Sequence, residues 1–344
     1  MTARELVIRA ISGRPIPRAA VGPQATFFCA ADAGVGLLDF SLNADVQVEC
    51  LLRYYDRYRP DAVWISTDTW VTAESMGAPV KSKGQNLPLS GPSQGFIASP
   101  RDLDRIPPPD PYTQGRQPLM LEVLFRVAEK IGREVFTVGC FDQSPFSLAC
   151  QALGMTAMMT KIMEDRPLVD AVMEKSLEYA LAYAEAMAAC GADMLSTGDS
   201  AAGLLGRNRY ASIALPLEKR LFGGLKSRTH KYLSLHICGD TTEIIADMAE
   251  SGAHVLEIDH FVRLEDAFHE VGDVVALWGN LDSVSVLLQS HRQEVEAKAA
   301  RILSAVQAVG GWRLILSSGC ILAPGTPSEN IHALIDSAHK FQVL

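Results

Sequence analysis

The chain has 344 residues, 48% of them hydrophobic, with 31 Lys+Arg against 40 Asp+Glu and a formal net charge of −9. No stretch has the uninterrupted apolar length of a membrane span, and an acidic balance without a basic cluster argues against nucleic acid as a partner. Seven cysteines, scattered without a framework behind an N-terminus that lacks a signal-peptide pattern, predict free thiols in a reducing cytoplasm.

Apolar, β-rich runs alternate with amphipathic stretches along the chain. A weak strand is predicted near 19–23, and a stronger one over 61–67 runs into Asp68. Segment 78–115 is rich in Pro, Gly, Ser and Asp. It reads either as an irregular excursion bordering a site or as a mobile surface loop. Strand 134–140 leads into Phe141, Asp142 and Gln143, while Met155, Met158 and Met159 read as helix core. A helix over 167–189 takes Asp165 as its cap and Pro167 in its first turn, with Val169, Val172, Met173 and Leu177 at helical spacing. Strand 193–198 ends at Asp199 and Ser200, which also suit the cap of a following helix. Strand 231–238 carries His236 and Cys238, and Asp240 with Glu243 reads as the cap of a helix over 241–252. Strand 254–258 precedes Asp259 and His260, a pair suited to proton handling or simply to an exposed loop. Strand 274–279 precedes Asn280 and Asp282, a helix is expected over 285–309, and strand 313–318 ends just before Cys320. Beyond it, Thr326, Pro327 and Glu329 have the spacing of a capping box with proline in the first turn.

Strands alternating with helices in this way predict the α/β class, as a single (β/α)8 TIM barrel over 1–344 with the excursion at 78–115. Such barrels place their chemistry at the C-terminal strand ends, and nearly every predicted strand here ends in a polar or metal-capable residue. Side chains two apart on a strand face the same way, so His236 and Cys238 point to one spot. Cys320, 82 residues beyond Cys238, closes another strand. One imidazole and two thiolates form a zinc donor set, and three protein ligands leave the fourth position open, as in catalytic sites. The alternative is a buried thiol that happens to sit beside a histidine. Asp199 or Glu257 is conceivable as an oxygen ligand in fourth place, and Asp199 could instead orient a ligand.

Three segments, Gly319-Cys320-Ile321-Leu322-Ala323-Pro324-Gly325-Thr326-Pro327-Ser328-Glu329-Asn330, Gly279-Asn280-Leu281-Asp282 and His236-Ile237-Cys238-Gly239-Asp240, together resemble the uroporphyrinogen decarboxylase superfamily. The resemblance is to its zinc-dependent, corrinoid-linked methyltransferase branch. It implies one Zn2+ per chain on His236, Cys238 and Cys320. It also implies a corrinoid (cobalamin) supplied on a separate corrinoid-binding protein, since the chain has no Asp-x-His-x-x-Gly signature. The activity implied is methyl transfer between a small methylated substrate and cobalt, with O-demethylation of a methoxylated, aromatic-type donor favoured. Transfer to a thiol such as coenzyme M, or to folate, is the alternative, for which Arg207 and Arg209 are the nearby basic residues. By the same resemblance Asp68 matches the decarboxylases' central aspartate and is expected to orient substrate. Asp199 is expected as ligand or proton donor, and Phe27, Phe28, Trp70, Phe141 and Asn280 as the substrate pocket. The decarboxylases' arginine-rich N-terminal segment has no counterpart in Gly22-Pro23-Gln24-Ala25-Thr26-Phe27-Phe28-Cys29. Decarboxylation is therefore the weaker alternative, beside a non-catalytic scaffold barrel, and a homodimer is one assembly open to the chain.

Overall fold

Side-chain alternation along the strands decides what the sheet encloses. The computed structural model describes residues 1–343. Its parallel strands are β1 (Ala20–Val21), β2 (Ala62–Ile65), β3 (Phe136–Gln143), β4 (Met194–Gly198), β5 (Tyr232–Ile237), β6 (Val255–Ile258), β7 (Ala276–Leu281) and β8 (Leu314–Ser318). They pair in the order β1-β8-β7-β6-β5-β4-β3-β2, with helices between them, forming the (β/α)8 barrel that the sequence predicts. The remaining seam, between β1 and β2, is held by Asp61. Its N–H donates to the Val21 carbonyl at 2.8 Å, its Oδ2 accepts from Val21 N at 3.0 Å, and Arg18 grips both carboxylate oxygens at 2.7 and 2.6 Å.

Residues of one parity point into the lumen. Ala62, Trp64, Phe136, Met194, Trp278 and Ile315 fill its lower half, and Leu6, Val7, Ala10 and Ile11 of the Ala3–Ile11 helix close it from below. Residues of the other parity, such as Val63, Leu195, Leu233, Leu256 and Leu316, pack beneath the helices. Higher in the lumen the same inward positions turn polar: Ser196 and Ser234 donate to Glu257 Oε1 at 2.7 and 2.6 Å, and Gln24 to Oε2 at 3.2 Å. Trp278 is the keystone of the lower layer, fully buried, with its indole N–H on the Gly22 carbonyl at 2.8 Å. A Cβ at Gly22 would stand 2.5 Å from Trp278 Cζ2. Gly22→Ala is thus expected to cost about 1–3 kcal/mol through overpacking, seen as a lower urea midpoint with an unchanged m-value.

Some local expectations change. The 167–189 helix is Arg166–Ala189, and Asp165 caps it by accepting from Leu168 N. The helix expected over 285–309 begins only at Arg292, because Asp282 takes the N–H groups of Val284 and Ser285 and the Ser285 hydroxyl, holding a turn there. The 241–252 helix shrinks to Ile245–Ala249 for the same reason: Asp240 Oδ1 accepts from Thr242 N and Oγ1, an Asx turn rather than a helix cap. The capping box does not form either. Pro327 is the N-cap of Ser328–Lys340, and Thr326 donates its hydroxyl to the Ala323 carbonyl. Of the three methionines, Met158 is buried, Met159 partly buried and Met155 40% exposed.

The excursion is packed against the barrel. Phe96 and Ile97 donate to the Ala152 carbonyl at 2.8 and 2.9 Å, Tyr179 Oη donates to the Pro107 carbonyl at 2.6 Å, and Leu89 and Ile97 are buried. No helix among the described residues is long and apolar enough to cross a membrane.

Candidate metal centre and its surroundings

β5 carries His236 one residue before its end at Ile237, and the chain then turns through Gly239 at φ +88°. His236 Nε2 lies 3.0 Å from Cys238 Sγ, and Cys238 Sγ lies 4.0 Å from Cys320 Sγ. All three donor atoms fall within 4.8 Å of one another. The imidazole is oriented from behind, its Nδ1 sitting 3.0 Å from the Glu257 carbonyl. A carbonyl only accepts, so Nδ1 carries a proton, and Nε2 is the atom that faces the sulfurs and becomes a metal ligand once its own proton is lost. Backbone clamps fix both thiols. Gly239 N donates to Asp259 Oδ2 at 2.7 Å, while the Ser283 hydroxyl accepts from Cys320 N at 3.3 Å and donates to its carbonyl at 3.0 Å.

The hydrogen bond from Cys320, reinforced by His236 and Ser200, pulls the Cys238 thiol down to about 3 despite burial. The same bond, with burial, pushes Cys320 upward. Burial opposes a charge on His236, but the adjacent Cys238 thiolate raises the imidazole to about 9. A soft N/S donor set, the correct imidazole tautomer and partly exposed sulfurs fit Zn2+ with one position left open.

Across the mouth, Asp68 is held in a two-pronged pair. Arg116 Nη1 and Nη2 donate to its two oxygens at 2.6 and 2.9 Å, and Arg116 Nε donates to Glu74 at 2.7 Å. The excursion ends at Gly115, so its packing delivers this guanidinium.

The profile of the uroporphyrinogen decarboxylase family (URO-D) matches residues 2–341. The chain belongs to the uroporphyrinogen decarboxylase family. Within that family it is 30% identical over 284 residues to the methylcobamide:CoM methyltransferase MtbA of Methanosarcina mazei, covering 82% of this chain and 80% of the relative. It is 26% identical over 347 residues to MtaA of Methanosarcina barkeri, a second methylcobamide:CoM methyltransferase, covering 99% and 98%. A uroporphyrinogen decarboxylase of Picosynechococcus is 26% identical over 312 residues, covering 88% and 85%. A solved structure, a methyltransferase from Methanosarcina mazei, has the same fold, with a TM-score of 0.88 at 23% identity over 99% of both chains.

In this uroporphyrinogen decarboxylase family member, the other residues singled out from sequence are distributed unevenly. Asp199 and Glu257 lie outside the three-residue donor cluster. Glu257 is held by the two serines and Gln24, and burial pushes it upward. Asp199, fully buried, accepts from Ser147 N and Oγ at 2.8 and 2.6 Å. Burial raises it to about 6 and raises its neighbour Glu218 well above its usual value, and Asp199 Oδ2 and Glu218 Oε1 are both buried without a hydrogen-bond partner among the described residues. Asn280 donates its amide to the carbonyls of Asp259 and Val262, securing the loop after β6. His260 Nδ1 sits 2.7 Å from Asp259 Oδ1 on that loop. Phe28 and Phe141 lie in the layer under the helices, Phe28 meeting Tyr54 and Tyr58 edge-on, and neither shows an exposed face. Phe27 packs on Phe40, and half-buried Trp70 covers Gly91 of the excursion. Arg207 pairs with Asp247 on the surface.

Sequence reasoning missed Arg116, Ser283 and the role of Ser200. Only Arg116 left a signal: an aspartate at the end of a buried strand needs a cation. Asp142, with its own φ at +78°, is pushed by burial from 3.8 to about 8. Folding therefore takes up a proton at this residue between those two values, and stability falls as pH rises through that window. Asp142→Asn is expected to flatten the decline and to be the more stable protein at pH 8, which urea titrations of both proteins at several pH values will show.

Proposed function

We propose that the protein is a zinc-dependent methyltransferase of the cytoplasm, moving a methyl group between a corrinoid on a separate protein and a small thiol. The observation that carries this reading is the convergence of His236 Nε2, Cys238 Sγ and Cys320 Sγ within 4.8 Å at the barrel mouth. His236, Cys238 and Cys320 would hold the ion, one per chain. When bound, Zn2+ lowers the pKa of a coordinated thiol, so that a thiolate nucleophile exists at neutral pH.

The chain's own residues prepare that site. The Glu257 carbonyl keeps the His236 proton on Nδ1, Asp259 and Ser283 hold the cysteine-bearing turns, and the buried walls of the lumen keep water from below. The thiol direction ranks above demethylation of a methoxylated donor because the two methyltransferase relatives are named for coenzyme M. Decarboxylation fits less well. Both Asp68 oxygens are engaged by Arg116 and its side chain is 2% exposed, so no free carboxylate is offered to a tetrapyrrole.

The test has two arms, each using protein shown to carry about one zinc per chain. In one, methylcobalamin is offered with coenzyme M and loss of the methyl–cobalt absorbance is followed. In the other, cob(I)alamin is offered with methoxylated aromatics. Thiol-dependent turnover supports the reading, turnover only in the second arm reverses its direction, and none in either arm with zinc bound sinks it.

A further inference from the structure

We infer that the Ser200 hydroxyl is a built-in hydrogen-bond donor to the Cys238 thiolate, which makes the two sulfurs of the metal centre chemically unequal. Ser200 Oγ lies 3.1 Å from Cys238 Sγ. Among the described residues no hydroxyl donates to Cys320 Sγ, whose side-chain neighbour is the sulfur of Cys238.

The aim of Ser200 is set on both sides. Asp199 N donates to the His236 carbonyl at 2.7 Å, tying the preceding residue to the end of β5. The Asp199 carboxylate holds Ser147, and Ser147 Oγ in turn accepts from Ala201 N at 3.0 Å. The residues flanking Ser200 are therefore both anchored, and its half-buried hydroxyl hangs between them over the thiolate. Asp199, the sequence's candidate ligand, acts in this arrangement as the buried anchor of a positioning residue.

A donor on a thiolate lone pair draws charge away from it, which weakens that sulfur as a ligand and as a nucleophile. In a site that handles methyl groups, as the proposed function on which this inference rests requires, the protein's own thiolates compete as acceptors. Ser200 would occupy one lone pair of Cys238 and leave Cys320 as the stronger electron donor. Ser200 is a positioning residue in this scheme and touches no substrate.

The experiment compares wild type, Ser200→Ala and Ser200→Thr, each metal-free and each loaded with Co2+ as a spectroscopic stand-in for zinc. Three readouts are taken: metal loss to a competing chelator, the thiolate-to-cobalt charge-transfer band, and alkylation of Cys238 relative to Cys320 by iodoacetamide, resolved by peptide mass spectrometry. Ser200→Ala is expected to shift the band, to slow metal loss to the chelator several-fold because Cys238 becomes the stronger donor, and to speed Cys238 alkylation several-fold. Ser200→Thr should restore all three. An alanine variant with the wild-type band and the wild-type alkylation ratio overturns the inference. A wild type that takes up neither zinc nor cobalt overturns the proposed function instead, and the alkylation ratio of the metal-free proteins still decides the Ser200 bond.

Discussion

Cys320→Ser is expected to lose bound metal and methyl transfer together while the fold stays intact. The loop after β8 is held by bonds that do not use the sulfur: Ser283 clamps the Cys320 peptide, and Leu322 N donates to the Gln24 carbonyl at 3.1 Å. A serine hydroxyl replaces a thiolate without disturbing them, but it is a poor ligand at neutral pH. Residues that merely support metal ligands are worth about 10–100-fold in affinity, so losing a ligand itself should cost at least that much. Metal analysis after dialysis against a chelator, with thermal melts alongside, reads both quantities. A variant that keeps its zinc removes Cys320 from the centre, whereas one that unfolds with metal loss makes the zinc structural.

Arg116→Leu is expected to be the most destabilising single change outside the apolar core. It strands the Asp68 carboxylate, whose side chain is 2% exposed, and takes away the partner of Glu74. Removing one member of a buried pair costs about 3–5 kcal/mol, whereas replacing both members with apolar residues is often near neutral. Arg116→Leu combined with Asp68→Leu should accordingly recover most of the loss. With about 2.1 cal/mol/K of unfolding entropy per residue, a 344-residue chain shifts by about 1.4 °C per kcal/mol, so the single variant should melt about 4–7 °C lower. If the double variant is as unstable as the single one, the charge pair is not the cause, and the excursion's packing through this segment is.

What could be read from the sequence follows physical range. Apolar runs of strand length report their own burial, so β2 to β8 were legible, and with them the convergence of His236, Cys238 and Cys320 at strand ends. Misplaced helix starts came from side chains that compete for backbone N–H groups. Asp282 and Asp240 each stop a helix that periodicity alone would begin. Contacts between distant segments leave no periodic trace. Asp68 and Arg116 are 48 residues apart, Ser200 and Cys238 38 apart, and Ser283 and Cys320 37 apart. The aromatic residues were ambiguous for another reason: Phe28 and Phe141 are apolar whether they face a ligand or a helix, and here they sit under helices.

The layering of the lumen bears on how such a chain diversifies. Trp278, Trp64 and Phe136 are packed together at one end, while His236, Glu257 and the serines sit at the other. The two ends draw on different residues of the same strands, so a substitution at the mouth replaces none of the side chains that fill the lower layer. A lineage can therefore trade one reaction for another at the strand ends without passing through an unfolded ancestor. Relatives about equally distant in sequence that carry decarboxylase and methyltransferase names are what that freedom produces.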